Sequence, residues 1–179
     1  LTFPFSIPWL VKAGFKESKL VPCWPVANVG AFANQGPNGK AIMNTGAALP
    51  KKTMEDFILL GKLLPDREFN FYPVAYQTEK LAAFNREHGN PVNILRPVHP
   101  DDMPAHYKKH EWLVYTANFQ MKTVGWLIAV AEAQAAGVGV CMANIRPDLK
   151  DYVGDCGFFY DSIEEAARIV SQPFPEDPR

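Results

Sequence analysis

Short runs of apolar residues alternate with longer amphipathic stretches along most of the chain. This alternation is typical of repeated strand–helix units, which build a parallel sheet with helices on both faces, so the predicted class is α/β. The apolar runs predict strands at residues 20–23, 41–44, 69–74, 92–95, 112–115, 138–142 and 157–160. The amphipathic stretches predict helices at residues 53–63, 78–88, 101–109, 124–136 and 162–171.

Local residues support several of these boundaries. Ser162 is followed by Glu164 and Glu165, which places a capping hydroxyl and two acids where the helix dipole favours them. Asp101 is placed to cap the first turn of its helix in the same way. Because proline cannot continue a helix, the proline-rich chain after residue 171 is predicted to be a departing tail or linker.

Composition places the chain among single globular domains. It has 179 residues, of which 47% are hydrophobic and 21% charged, and this is enough to bury one core. The net charge of -1 provides no bulk attraction for nucleic acid or for an anionic membrane. Nucleic acid is therefore not an expected partner, and any site for an anion must be local.

The cysteines and the opening residues bear on the compartment. Cys23, Cys141 and Cys156 are odd in number and far apart, which fits a reducing cytoplasm better than a disulfide framework or a zinc ribbon. Residues 1–11 are apolar, but they lack a basic region and are interrupted by proline, so they predict neither a signal peptide nor a membrane anchor. Since the chain begins with Leu1 rather than Met, we expect a piece of a longer protein.

The loop after the strand at 41–44 is the first candidate for chemistry, because ligands of parallel sheets bind at the carboxyl ends of the strands. It carries Gly46, Lys51 and Lys52 immediately before a predicted helix. Backbone N–H groups at a helix start, together with a lysine, suit a diphosphate. The alternative is a solvated pair of lysines at a turn.

The segment from residue 121 to residue 137 is the second candidate. Gly125 marks a close turn before a helix that is apolar almost all round, and Glu132 lies within that helix. A carboxylate in a buried helix is costly unless it has a partner, so Glu132 is predicted to have a dedicated hydrogen-bonding role. The alternative is that Glu132 faces water or pairs with a lysine.

The loop after the strand at 138–142 is the third candidate. It could bring Arg146 to a phosphate or a sugar, although the residues alone favour a surface position for Arg146 and a helix-capping role for Asp148. His106 and His110 are four residues apart, but they have no acidic third ligand and are predicted to lie on a solvated helix face. No metal site is predicted, and the dinucleotide and P-loop fingerprints are absent from the sequence.

The order of these segments resembles the C-terminal domain of retaining GT-B glycosyltransferases over about residues 14–171. That family has a signature helix with two Glu residues followed by Ala-x-Ala-x-Gly, and residues 132–137 are similar to the second Glu and its tail. Residues 138–143 resemble the strand that follows, and residues 154–157 match the family's Gly-Asp-x-Gly turn. Three upstream segments also resemble the family: residues 14–32, 44–57 and 92–107.

The resemblance implies a Rossmann-like parallel sheet that forms one half of a GT-B fold. It implies a nucleotide-sugar-binding domain at residues 14–171, a remnant of an interdomain or N-terminal segment at 1–13, and a tail or linker at 172–179. Carried over by position, Lys52 holds the donor diphosphate, Glu132 holds the ribose, and Val98 or His99 lies in the loop that frames the base. Members of this group generally act without a catalytic metal, so no cofactor is expected.

The chain departs from the family pattern at three places. The family arginine of the first loop falls on Ala47, the first Glu of the signature helix falls on Val124, and the Asn-Gly of the opening segment falls on 25–26. Part of the usual grip on sugar and phosphate is therefore missing. Three residues are candidates to replace the lost charge: Lys51, Lys122 and Arg146.

The function implied is that of a donor-binding domain in a hexosyltransferase-type enzyme that retains the sugar's configuration. The partners implied are a nucleotide-diphospho-sugar and a missing N-terminal domain of the same protein that binds the acceptor. Peripheral membrane association of the full-length protein stays open, and the isolated domain is expected to be inactive in transfer because half of the cleft is absent. The alternatives are a catalytically degenerate binding module and a sugar-nucleotide epimerase of the same fold.

Overall fold

A six-stranded parallel sheet, with strand order β3-β2-β1-β4-β5-β6, forms the centre of the molecule. The computed structural model describes residues 4–24, 26–33, 36–74, 77–121 and 127–175. The strands are β1 (Ala41–Gly46), β2 (Phe69–Pro73), β3 (Asn93–Ile94), β4 (His110–Tyr115), β5 (Gly139–Ala143) and β6 (Gly157–Tyr160). Six of the predicted strands and the α/β class are thus confirmed.

Helices cover both faces of this sheet. The α-helices are α1 (Ile7–Lys12), α2 (Val29–Phe32), α3 (Met54–Leu63), α4 (Thr78–Glu87), α5 (Met103–Tyr107), α6 (Ile128–Ala135), α7 (Asp148–Val153) and α8 (Ile163–Val170). Short 3-10 turns lie at Pro4–Ser6, Glu17–Lys19, Pro50–Lys52, Pro100–Asp102 and Gly154–Cys156. Helix α3 packs against α4 and α8, while α2, α5 and α6 pack together as a second group.

The strands read as near-continuous apolar runs because most of them are buried on both faces. Every residue of β2 and of β5 is buried, as are the first five residues of β1. Large aromatic side chains fill the space between sheet and helices, and Phe57, Phe69 and Trp112 are at most 1% exposed. Full burial of side chains of this size contributes roughly 1.5–3 kcal/mol each.

One predicted strand and one predicted helix cap are wrong. The strand predicted at 20–23 does not form, because residues 20–24 have no regular structure and Pro22 has no N–H to donate to a ladder. Asp101 does not cap a helix either; the ring nitrogen Nδ1 of His99 accepts from the Asp101 N–H at 3.3 Å. By contrast, Ser162 caps α8 as predicted, accepting from the Glu165 N–H at 3.2 Å.

Three short helices were not predicted, and one start stays untested. Helices α1, α2 and α7 have six residues or fewer, too few to show a helical period in the sequence. The helix predicted from residue 124 is present from Ile128, but residues 122–126 lie outside the described residues.

The chain after α8 folds back onto the amino-terminal edge of the sheet. The Trp112 indole N–H donates to the Gln172 carbonyl at 3.0 Å, and the Phe174 ring lies 5.2 Å from the Trp112 ring, edge to face. Gly139, which pairs with Trp112 in the sheet, leaves the space that Phe174 fills. Residues 172–175 are therefore not helical, as their prolines predict, yet they pack against the domain instead of leaving it.

Candidate functional site

A crevice at the carboxyl ends of the strands is the expected ligand position in this fold. The strand order reverses between β1 and β4, and ligands of open α/β sheets bind at such a switch point. Strand β1 ends there at Gly46, and β4 ends there at Tyr115. The loops after these strands are joined by a hydrogen bond of 2.9 Å from the Asn118 N–H to the Lys51 carbonyl.

A cavity of about 480 Å³ and another of about 530 Å³ lie at the opposite edge, but a cavity of about 380 Å³ lies at the carboxyl ends of β1 and β2, beside the switch point. Residues from β1, β2, α6 and the chain between β3 and α5 line it: Thr45, Tyr72, Pro73, Val74, Pro97, Val98, Pro100, Met103 and Glu132. A mostly apolar wall with a few polar groups is typical of sites for small molecules. The fold thus brings Val98 and Glu132 to one cavity.

Glu132 is half-buried on α6, and its partner is a tyrosine from α5. The hydroxyl of Tyr107, a residue with no exposed surface, donates to Glu132 Oε2 at 2.9 Å. Burial raises the pKa of Glu132, and the hydrogen bond from Tyr107 opposes this rise. Tyr107 therefore supplies the hydrogen-bond donor that a carboxylate in an apolar helix requires.

Lys52 ends the 3-10 turn that follows β1, and its ammonium group lies over the Tyr115 ring, 5.4 Å from the centroid. It forms no ion pair with any residue in the described part of the chain. Burial and the neighbouring Lys51 lower the pKa of Lys52. Gly46 has a φ of 134°, a backbone conformation that favours glycine, and a Cβ at this position would displace the Lys52 ammonium group.

Arg146 is buried, contrary to the predicted surface position, and only 3% of it is exposed. Its guanidinium donates to both carboxylate oxygens of Asp148, from Nε at 2.8 Å and from the second terminal nitrogen at 3.3 Å. It also stacks on the Phe5 ring, 4.3 Å from the centroid. The predicted capping role of Asp148 is wrong as well, because that side chain makes no cap hydrogen bond and serves Arg146 instead. The positive charge of Arg146 is thus already compensated.

Val98 and His99 are distinguished by the cavity. Val98 lines it, whereas His99 is exposed and its Nδ1 accepts a hydrogen bond from the Asp101 N–H. Gly125, the remaining predicted site residue, lies outside the described residues, as do Lys122 and Val124.

His106 and His110 do not share a solvated helix face. His106 lies in α5, while His110 begins β4 and has no exposed surface. His110 donates from Nδ1 to the His106 carbonyl at 2.8 Å and accepts at Nε2 from the Asn70 amide at 3.1 Å. The prediction of a solvated face is therefore wrong for His110. In the described ranges, no three His, Cys, Asp or Glu side chains are grouped to hold a metal ion.

Three tyrosines around the crevice were not predicted from the sequence. Tyr72 lines the cavity, and its hydroxyl is hydrogen-bonded to His106 Nδ1 at 3.1 Å. Tyr107 holds Glu132, as described above. The hydroxyl of Tyr115 is buried and has no hydrogen-bond partner among the described residues. Each tyrosine lies at or next to the end of an observed element, and no motif in the sequence marks it.

Solved structures of glycosyltransferases have the same fold. A variant of TarM from S. aureus, in complex with fondaparinux, α-GlcNAc-glycerol and UDP, matches with a TM-score of 0.70 and 11% identity over 96% of this chain and 36% of that chain. A glycosyltransferase from Rickettsia africae matches with a TM-score of 0.70 and 14% identity over 88% of this chain and 47% of that chain. Sucrose-phosphate synthase from Thermosynechococcus elongatus matches with a TM-score of 0.67 and 17% identity over 93% of this chain and 45% of that chain. No protein-family model and no curated protein sequence matches the chain.

At these identities the similarity establishes the fold, which is the Rossmann-like domain that forms one half of a GT-B glycosyltransferase. The implied resemblance is thus confirmed at the level of the fold. The chain spans less than half the length of each of these three proteins. No helix within the described ranges has the length and apolarity needed to cross a membrane.

Proposed function

We propose that the chain is the donor-binding domain of a glycosyltransferase. In this proposal it binds a nucleotide-diphospho-sugar, and the sugar passes to an acceptor held by a second, N-terminal domain of the same protein. The observation that carries the proposal is the cavity at the carboxyl ends of β1 and β2, which Val98 and Glu132 both line. The similar structure of the TarM variant contains UDP, which supports a nucleotide ligand for this fold.

Each part of the donor has a chemically suited neighbour. The apolar side chains around Val98 suit a flat base, and the carboxylate of Glu132 can accept hydrogen bonds from ribose hydroxyls. Lys52 is a cation without an ion-pair partner among the described residues, and it stands where the chain enters α3. A charge-assisted bond from this lysine to a diphosphate would contribute roughly 1.5–3 kcal/mol.

The proposal includes metal-free transfer with retention of configuration. Lys52 and backbone N–H groups would stabilise the charge that develops on the leaving diphosphate, the role that a metal has in other enzymes. Product analysis of the full-length protein tests this part: an inverted anomeric centre, or transfer that stops when EDTA is added, would contradict it.

The second domain is supported by apolar side chains at the carboxyl-terminal edge. Val74, Phe119, Met121 and Ile128 follow β2 and β4 and are between 40% and 68% exposed. Exposed apolar groups that lie at the same edge can form a surface that faces another protein surface. The chain alone is therefore expected to bind a donor without transferring its sugar.

Calorimetric titration with UDP-, GDP- and ADP-sugars tests the donor site. We expect one of these classes to bind, and Lys52→Ala and Glu132→Ala each to weaken binding about tenfold, because each removes a charged hydrogen-bonding group. Binding is expected to be the same with EDTA present.

The controls match each change in charge. Lys62→Ala removes an exposed lysine near the end of α3, and Glu87→Ala removes an exposed carboxylate at the end of α4. Both are expected to leave affinity unchanged. The proposal fails if no nucleotide-sugar binds, or if Lys52→Ala and Glu132→Ala behave like the controls.

A catalytically degenerate binding module is the second candidate, and the state of Arg146 favours it. The family arginine is replaced by Ala47, and the buried Arg146 is committed to Asp148, so it does not replace the lost charge. Sugar transfer by the full-length protein that disappears in Glu132→Ala would eliminate this candidate. Binding of a nucleotide-sugar without any transfer would support it.

A further inference from the structure

We propose that Tyr107 is a positioning residue, which fixes the carboxylate of Glu132 so that its second oxygen accepts hydrogen bonds from the ribose hydroxyls of the donor. This inference rests on the proposed function, because it assigns a role within the same site. Tyr107 itself does not line the cavity. Its effect on a ligand therefore has to pass through Glu132.

The contacts of Tyr107 hold its hydroxyl in one place. The residue has no exposed surface, and its ring meets the Phe32 ring edge to face at a centroid distance of 5.3 Å. Phe32 belongs to α2, which packs on both α5 and α6. The hydroxyl lies 2.9 Å from Glu132 Oε2 and 3.3 Å from the Ala129 carbonyl. Because it has one proton and the carboxylate contact is shorter, the hydroxyl donates to Glu132.

The two oxygens of Glu132 are in different situations. Oε2 accepts from Tyr107, whereas Oε1 makes no hydrogen bond within the described ranges. Glu132 is half-buried and lines the cavity. Tyr107 therefore holds one oxygen of the carboxylate, and the other oxygen is left to accept from a ligand in the cavity. A ligand hydroxyl then meets an acceptor whose orientation is already fixed, which reduces the entropy lost on binding.

The hydrogen bond also keeps the carboxylate an acceptor. Burial raises the pKa of Glu132, and the bond from Tyr107 lowers it. Among the described residues, Tyr152 on α7 also lies within electrostatic reach of Glu132, and burial together with that carboxylate raises the pKa of Tyr152 to about 12. Tyr152 therefore stays neutral near pH 7. Without the Tyr107 hydroxyl, Glu132 loses the interaction that favours its ionised form.

Affinity for a nucleoside diphosphate and for its deoxyribose analogues tests the proposal. UDP, GDP and ADP are titrated into the chain, and the tightest binder is then compared with its 2′-deoxy and 3′-deoxy forms. Wild type is expected to prefer the ribonucleotide, and Tyr107→Phe to reduce that preference about fivefold or more, the loss expected for a hydrogen bond to a charged group. The same change in a Glu132→Ala background is expected to have no further effect on the preference.

Tyr160→Phe is the matched control. Tyr160 is 1% exposed on β6, and its hydroxyl donates to the Tyr115 carbonyl at 3.3 Å, so the change deletes an equally buried hydroxyl that does not contact Glu132. A general loss of stability would lower the affinity for ribose and deoxyribose ligands alike in both variants. Only a positioning role changes their ratio.

The outcomes separate this inference from the proposed function. If wild type binds none of the three nucleotides, both are overturned. If wild type binds and prefers the ribonucleotide but Tyr107→Phe keeps that preference, the role of Tyr107 is overturned and the donor site stands. Should Tyr107→Phe not fold, Tyr107→Met fills the space with a flexible apolar side chain that lacks a donor, and the same ratio decides.

Discussion

Two buried or half-buried cations flank the crevice, and their surroundings differ. Arg146 donates to both oxygens of Asp148, whereas Lys52 has no ion-pair partner among the described residues and lies over the face of Tyr115. A desolvated charge without a partner is unfavourable, so a structure that retains one gains from a ligand of opposite charge. At the scale of single residues, we therefore propose Lys52 as the cation that would bind a diphosphate.

The hydroxyl of Tyr115, whose ring lies under Lys52, also lowers the stability of the fold. It is buried without a hydrogen-bond partner among the described residues, and such a group costs about 1–3 kcal/mol. We expect Tyr115→Phe to increase the free energy of unfolding by about 1 kcal/mol, measured by urea denaturation, because it removes the unsatisfied group and keeps the ring under Lys52.

Tyr160→Phe provides the contrast, since the Tyr160 hydroxyl has an acceptor and its loss is expected to lower stability. If Tyr115→Phe also lowers stability by 1 kcal/mol or more, the Tyr115 hydroxyl has a partner in solution and this interpretation is wrong.

Strands were predicted well because each is a contiguous apolar run that ends at a loop. Strands β1, β4 and β5 lie in the middle of the sheet and show no alternation, as buried parallel strands should. Helix α7 was not predicted because six residues give less than two turns. Such a segment shows no helical period and was interpreted as a loop between two strands. Elements could thus be predicted where length and periodicity were sufficient.

The contacts of the site could be predicted only in part. The unusual carboxylate at Glu132 was visible, because it interrupts an apolar helix. Its partner Tyr107 was not, because the two residues are 25 positions apart and meet only through the packing of α5 on α6. Likewise, the burial of Arg146 depends on Phe5, which belongs to a segment that the apolar pattern did not place.

The junction of β4, β5 and the chain after α8 depends on one glycine. A Cβ at Gly139 would lie 2.5 Å from Phe174 and 2.7 Å from Trp112. We expect Gly139→Ala to lower the free energy of unfolding by about 2 kcal/mol, as overpacking of a tight core does. In a Phe174→Ala background the same change is expected to cost less, because one of the two clashes is gone.

Gly30→Ala serves as the control for the loss of a glycine. Gly30 lies in α2, and a Cβ there would meet nothing closer than an Asn28 oxygen at 3.6 Å. The free energy of unfolding of the Gly30→Ala variant is expected to be unchanged or slightly higher, since alanine has a higher helix propensity than glycine. Equal losses at the two positions would show that the tail does not pack against Gly139 in solution.

At the scale of the whole molecule, a polar network centred on the buried Asn70 and His110 joins three strands to α5. Asn93 on β3 donates to Asn70 on β2, Asn70 donates to His110 on β4, and His110 donates to the His106 carbonyl. A carbonyl can only accept, so Nδ1 of His110 carries its proton and Nε2 is the acceptor for Asn70. The network is satisfied only while His110 is neutral.

Acid is therefore expected to destabilise the fold. Burial lowers the pKa of His110 from 6.5 to about 4. Between these values the unfolded chain binds a proton that the folded chain does not, so stability is complete above pH 6.5 and falls as the pH decreases toward 4. The loss from this residue amounts to about 3 kcal/mol at pH 4, measurable as the change in unfolding free energy in urea.

His110→Gln removes the titrating group and is expected to flatten this part of the pH profile, although its stability at pH 7 is lower. His88→Gln, in which the changed residue follows α4 and lies outside the network, should keep the wild-type slope. An identical slope in wild type and His110→Gln would refute the assignment.

The strand order has a consequence for how the chain folds. Strands β1 to β3 are neighbours in the sheet and in sequence, and so are β4 to β6; only the β1–β4 pair joins strands that are not consecutive. Contacts between distant segments carry the larger loop-closure cost, so each half-sheet is expected to form before the two are joined. The crevice lies along this joint. A donor that binds there favours the joined state, and the pocket is then the last part of the sheet to assemble and the part that a ligand secures most directly.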